Sequence, residues 1–129
     1  MKTKKFSLKS RFGSFKLAFD GLLFLLKNEH NSRIHLLAAI AVIILGIIVK
    51  LNQIEWALMT IVIGLVFLAE LLNSAIETLA DLINPEWNEL IKRAKDYSAA
   101  AVLISAIMAM IAGGLIFIPK LLALIQPAT

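Results

Sequence analysis

The sequence predicts an all-α integral membrane protein, with three transmembrane helices preceded by an N-terminal amphipathic helix in the membrane interface. Three observations carry this. The 129 residues are 60% hydrophobic with a mean hydropathy of +0.85, more apolar than water-soluble domains of this size. Three apolar stretches are each long enough to cross a bilayer at about 1.5 Å per residue. Basic residues gather ahead of the first: residues 1–33 hold Lys2, Lys4, Lys5, Lys9, Arg11, Lys16, Lys27 and Arg33 against only Asp20 and Glu29.

The whole chain, 1–129, reads as a single membrane domain. Residues 14–29 form the interfacial helix, apolar on one face and edged by Lys16, Asp20 and Lys27. Those charges interrupt the apolar run, so the segment is not expected to be a cleaved leader. Asn31 or Ser32 is expected to cap the next helix. Residues 34–51 are the first span and 54–82 the second, with an extension past the bilayer. Trp56 sits where an interfacial indole belongs. Asn84-Pro85 ends that helix. Residues 86–95 form a short polar surface helix. The third span, 97–119, is rich in Ala, Ser and Gly, which let helix backbones approach closely in lipid. Pro119 and Lys120 mark its end.

Lys and Arg counts set the orientation. The 83–95 connection carries Lys92, Arg93 and Lys95, whereas the 50–55 turn carries only Lys50. The N-terminus and the 83–95 connection are therefore expected in the cytoplasm. A basic arm beside an apolar span suits an anionic leaflet, not nucleic acid. The chain has no cysteine, which removes disulfides, thiolate metal sites and thiol catalysis.

The stretch AELLNSAIETLAD, residues 69–81, carries the chemistry. On a helix advancing about 100° per residue, Glu70, Asn73, Ser74, Glu77 and Asp81 fall on one stripe. Leu71, Leu72, Ala75, Ile76, Leu79 and Ala80 face elsewhere. Glu70 lies about 21 Å along the axis from Trp56, near the inner edge of the hydrocarbon, and Glu77 about 10 Å further. A helix trailing polar residues into water would hold the same groups, with no reason to align them. An ionisable residue at membrane depth is costly and usually faces a functional interior.

Glu29 ends the interfacial helix on the same side of the membrane, where it is also spaced to pair with Arg33 four residues on. Lys95-Asp96 opens the third span there, as an anchor pair or as part of the site. His30 and His35 lack metal-ligand spacing and read as structural. Neither a GxxxxGK[ST] loop nor GxGxxG is present. Carboxylates and a lysine at a lipid–water boundary suit a metal-dependent reaction on a lipid headgroup, with phosphoryl transfer as the example. Glu29 and Glu77 suit a Mg²⁺ whose shell is completed by phosphate oxygens. The lysine would steady phosphate charge, and Glu70 would be the general base. A non-enzymatic alternative is an ion- or proton-conducting oligomer lined by Glu70 and Glu77. Conduction needs polar groups through the whole depth, and residues 99–118 offer only Ser105.

The same residues resemble the bacterial diacylglycerol kinase family of small three-span membrane enzymes, which includes the undecaprenol kinases. The match is Glu70-x-x-Asn73-Ser74-Ala75-Ile76-Glu77-x-x-x-Asp81, extended by Ala94-Lys95-Asp96, by Ser98-Ala99-Ala100-Ala101-Val102-Leu103 and by Asn28-Glu29. The resemblance implies a homotrimer in the bacterial inner membrane, with active sites between subunits that face the cytoplasm. It also implies ATP as phosphate donor, a required Mg²⁺, and diacylglycerol or undecaprenol as the lipid. Glu70 then corresponds to the catalytic base, and Glu29 and Glu77 to the metal–nucleotide ligands. Asn73, Lys95 and Asp96 match further nucleotide positions, and Glu86-Trp87-Asn88 matches a loop approaching the nucleotide. Ser98 matches a lipid-side position, and Ser74 and Asp81 belong to the supporting stripe. The chain departs from the pattern at Ser10, beside Arg11, and at Leu17, where a family member has arginine and tyrosine.

Overall fold

A computed structural model describes residues 8–83, 86 and 88–125. They form four helices: α1 (Leu8–Asn28), α2 (His30–Ile48), α3 (Gln53–Ile83) and α4 (Glu89–Ile125). The described residues contain no strand. By length and composition α2, α3 and α4 are apolar enough to cross a membrane. This is the predicted architecture, an all-α membrane fold with three spans behind a leading helix.

α1 carries Phe12, Phe15 and Phe19 exposed along one face, as a helix dipping into an interface requires. Lys16 and Asp20 pair beside that face at 2.8 Å. The helix gives way to α2 at one residue. Glu29 takes an extended conformation (φ −94°, ψ 120°) and is the N-cap of α2, without using its side chain as a cap. Neither Asn31 nor Ser32 caps α2. Ser32 is fully buried, with its hydroxyl 3.1 Å from the Leu25 carbonyl and 2.9 Å from that of Glu29. Arg33 donates from Nε to the Leu26 carbonyl at 2.9 Å and from Nη2 to that of Lys27. The end of α1 leaves the Leu26 and Lys27 carbonyls without helical partners, and Arg33 satisfies them, while the Leu25 carbonyl accepts the Glu29 N–H at 2.8 Å as well as the Ser32 hydroxyl. Arg33 is therefore engaged with backbone, not with Glu29.

The α2–α3 turn is closed from both sides. Lys50 adopts φ 55°, its N–H bonds the Ile47 carbonyl at 3.3 Å, and the Leu51 N–H bonds that of Gly46 at 3.0 Å. This is the paired Schellman arrangement. Gly46 is needed there, because a Cβ would sit 2.8 Å from the Trp56 ring and 2.9 Å from Leu51 Cδ1. Asn52 Oδ1 accepts from the N–H groups of Ile54 and Glu55, and Glu55 Oε2 accepts from the Asn52 N–H at 2.7 Å. This reciprocal capping box starts α3.

α3 packs chiefly on α4. Leu51, Met59 and Phe117 form a buried cluster near the α2–α3 turn, with Val42, Trp56, Ile116 and Leu121 against it. Elsewhere large apolar side chains such as Ile44, Ile47, Leu103 and Met110 point outward. Those faces suit lipid, where burial against protein is not required.

α4 differs from expectation at both ends. Residues 86–95 are not a separate surface helix: the helical part runs from Glu89 straight into the third span. Asn88 caps it, with Oδ1 accepting from Leu90 N–H at 2.9 Å and Ile91 N–H at 3.3 Å. The pairs Lys92–Asp96 and Arg93–Glu89 brace its first turns at i,i+4. Pro119 does not end the helix, which continues to Ile125. A proline within a helix costs about 3 kcal/mol. Leu121, packed on the core cluster, and Lys120, 3.0 Å from Glu55 of α3, offset that cost.

Candidate active site

At 31 and 37 residues, α3 and α4 measure about 46 Å and 55 Å, more than a hydrocarbon core of about 30 Å. The polar stripe occupies the far part of α3, remote from the core cluster. From Glu70 to Glu77 its side chains face inward, and Asp81 at its end is exposed. Glu70 is buried and Asn73, Ser74 and Glu77 are half-buried, whereas Leu71, Leu72, Ala75, Ile76 and Leu79 are exposed; Ala80, expected on the outer face, is instead buried. Polar inside and apolar outside is the amphipathicity of a helix meeting lipid on its outer face.

Three helices contribute. From the α1–α2 junction, Glu29 Oε1 accepts a long hydrogen bond from Ser74 Oγ at 3.4 Å. Because the carboxylate does no capping, it is available to α3. On α3, Asn73 Nδ2 donates to Glu77 Oε1 at 3.2 Å. From α4, Ser98 Oγ lies 2.7 Å from Asn73 Oδ1 and 2.9 Å from the Lys95 carbonyl. Asn73 is thus held at both ends of its amide. Lys95 Nζ donates to Asp81 Oδ1 at 2.9 Å, tying the starting turns of α4 to the end of α3. Lys95 precedes the apolar stretch, and its bond to the Asp81 carboxylate raises its pKa by favouring the charged form.

Glu70 is in a different situation. It is 2% exposed, and its Oε1 has no hydrogen-bond partner. His35 Nε2 of α2 lies 3.2 Å away, within ion-pair distance, without making a hydrogen bond to it. Leaving a buried polar atom unpaired costs about 1–3 kcal/mol, so such an atom calls for a reason. Sequence reasoning set His35 aside as structural. The available signal was its place at the start of an apolar span, where an ionisable side chain marks a functional interior.

The remaining predicted positions lie further out. Asp81 and Asp96 are exposed, and Asp96 pairs with Lys92. Glu86 is exposed on the α3–α4 connection, Asn88 is the cap of α4, and Trp87 lies outside the described residues. Among the described residues no three His, Asp or Glu side chains gather in metal-binding geometry. Glu29 and Glu77 fit the other arrangement, in which one or two carboxylates hold Mg²⁺ together with substrate phosphates. Two apolar spaces lie along α3, the second reaching the stripe. A cavity of about 460 Å³ between α2, α3 and α4 is lined by His35, Val42, Val66, Phe67 and Ala109 among others. A groove of about 550 Å³ on the other side of α3 is bordered by Asn73, Tyr97 and Ser98.

Residues 16–117 match the family described as prokaryotic diacylglycerol kinase. The chain belongs to that family. Relatives of this family member include an undecaprenol kinase of Bacillus subtilis, 44% identical over 85% of the chain and 89% of that protein. A diacylglycerol kinase of Haemophilus influenzae is 39% identical over 81% of the chain and 89% of the relative. Another, from Synechocystis, is 39% identical over 86% of the chain and 64% of the longer relative. The matched stretch contains the whole inward-facing stripe and leaves out Ser10 and Arg11. Family membership makes this protein a membrane-embedded lipid kinase.

Proposed function

We propose that the protein transfers the γ-phosphate of ATP to the hydroxyl of a membrane lipid, giving phosphatidic acid from diacylglycerol or undecaprenyl phosphate from undecaprenol. The observation that carries this reading is the gathering of Glu70 and Glu77 on the inward face of α3 with Glu29, from the α1–α2 junction, reaching the same face through Ser74. Glu70, nearest the hydrocarbon, takes the proton of the lipid hydroxyl. The freed oxygen attacks the γ-phosphorus, its bond to the β–γ bridging oxygen breaks, and ADP leaves. Glu29 and Glu77 would hold a Mg²⁺ together with the nucleotide phosphates, and that ion would supply neutralisation of the phosphate charge. Lys95 adds a second cation, while Asn73 and Asp96 face the nucleotide and Ser98 the lipid. Glu86 and Asn88 approach the nucleotide from the α3–α4 connection.

The active unit in this reading is a homotrimer with sites between subunits. It sits in the inner membrane, with the N-terminus and the stripe on the cytoplasmic side, as the basic arm directs. Incubating purified protein with Mg·[γ-³²P]ATP and either diacylglycerol or undecaprenol in mixed micelles tests both the activity and the lipid. Label appearing in one lipid names the substrate. Label in neither, from protein that elutes as a single species, ends the proposal.

A further inference from the structure

The one buried oxygen without a partner in the stripe faces an imidazole from another helix. Glu70 Oε1 is enclosed and unpaired, and His35 Nε2 stands 3.2 Å from it across the α2–α3 contact. The apolar cavity between α2, α3 and α4 begins at this imidazole, and every other residue lining it is apolar. Within that wall His35 is the one side chain able to donate a hydrogen bond.

We infer that His35 is a positioning residue, its Nε2–H fixing Oε1 of Glu70 so that the other carboxylate oxygen is presented to the lipid hydroxyl. This rests on the reading of Glu70 as the base. A carboxylate used as a base needs one oxygen free and one held, because an unpaired carboxylate turns about its terminal torsion and spends little time aligned. A base oriented by a third group recurs wherever proton abstraction depends on geometry. A small rotation of the imidazole at 3.2 Å brings the N–H into line, and the open space of the cavity beside it leaves room for that rotation.

The test compares His35→Leu, which fills the space without a donor, His35→Gln, which keeps an amide donor of similar reach, and Glu70→Gln. Turnover and the KM for ATP are measured separately in lipid–detergent micelles. The inference expects no turnover from Glu70→Gln. It expects His35→Leu to lose about 10- to 100-fold in kcat, the scale of a misaligned reacting group, with the KM for ATP unchanged. His35→Gln is expected to recover most of that loss, which a purely space-filling role would not allow. Should the Leu variant fail to elute as the wild-type species, His35→Met provides the same comparison. Wild-type kcat in the apolar variant, alongside an inactive Glu70→Gln, overturns the role of His35 and spares the base assignment. Equal impairment of the apolar and Gln variants, or a loss confined to KM, overturns it as well. Wild-type turnover in Glu70→Gln overturns both readings at once.

Discussion

Ser98 of α4 reaches across to Asn73 of α3 and sits 2.7 Å from its Oδ1, while the other end of that amide donates to Glu77. The contact fixes which way the amide points, and through it the half-buried Glu77 is kept on the inward face.

Removing the hydroxyl should therefore reach the nucleotide side of the site. Ser98→Ala leaves Asn73 Oδ1 without its donor, a loss of about 1 kcal/mol, which corresponds to about fivefold in an equilibrium constant. The expected outcome is a rise of that size in the apparent KM for ATP, with Ser98→Thr close to wild type. Steady-state kinetics at saturating lipid check it. A KM for ATP unaltered by Ser98→Ala means that the contact only packs α3 on α4.

Glu70→Gln keeps the volume of the side chain and removes its ability to accept a proton. Phosphate transfer should fall by at least about 100-fold, while elution in detergent stays that of the wild type. Radiolabel transfer to lipid, with size-exclusion chromatography on the same sample, is the measurement. Normal transfer rates would refute the base assignment.

Chelation should abolish activity and added Mg²⁺ restore it. Glu77→Gln and Glu29→Gln should each raise the Mg²⁺ needed for half-maximal rate by about tenfold or more, the usual scale for weakened metal binding. A Mg²⁺ titration at fixed ATP reads this directly. An unmoved midpoint in both variants would separate these carboxylates from the metal.

The α2–α3 turn offers a stability test away from the chemistry. Gly46→Ala drives a methyl group into the Trp56 ring at 2.8 Å and should cost about 1–3 kcal/mol. Lys50→Gly places the residue suited to φ 55° where a lysine now pays a left-handed cost of about 1–2 kcal/mol. Thermal unfolding in detergent should move down for the first and up for the second. Shifts of the same sign would contradict the turn geometry.

The parts of the fold that follow from long-range averages were readable in the sequence. Apolar run length set the three spans, and the 100° spacing placed Glu70, Asn73, Ser74 and Glu77 on one face, which the structure turns inward. What escaped depended on single contacts between segments distant in the chain. Pro119 reads locally as a stop, yet α4 continues past it, with Leu121 packed on the core cluster and Lys120 paired with Glu55 beyond it. Ser32 and Arg33 look like cap and ion-pair residues, yet both are spent on carbonyls of the preceding helix. Asn88 looks like a loop residue and proves to be a cap. His35 gains its meaning only when α2 is laid beside Glu70, a juxtaposition that no spacing within one helix encodes.

The junction at Glu29 has a mechanical consequence. A single extended residue joins α1 to α2, and its own carboxylate is the one that touches Ser74. The hydroxyl and guanidinium hold the start of α2 against the end of α1, so any shift of the phenylalanine-bearing helix relative to α3 would carry that acid with it.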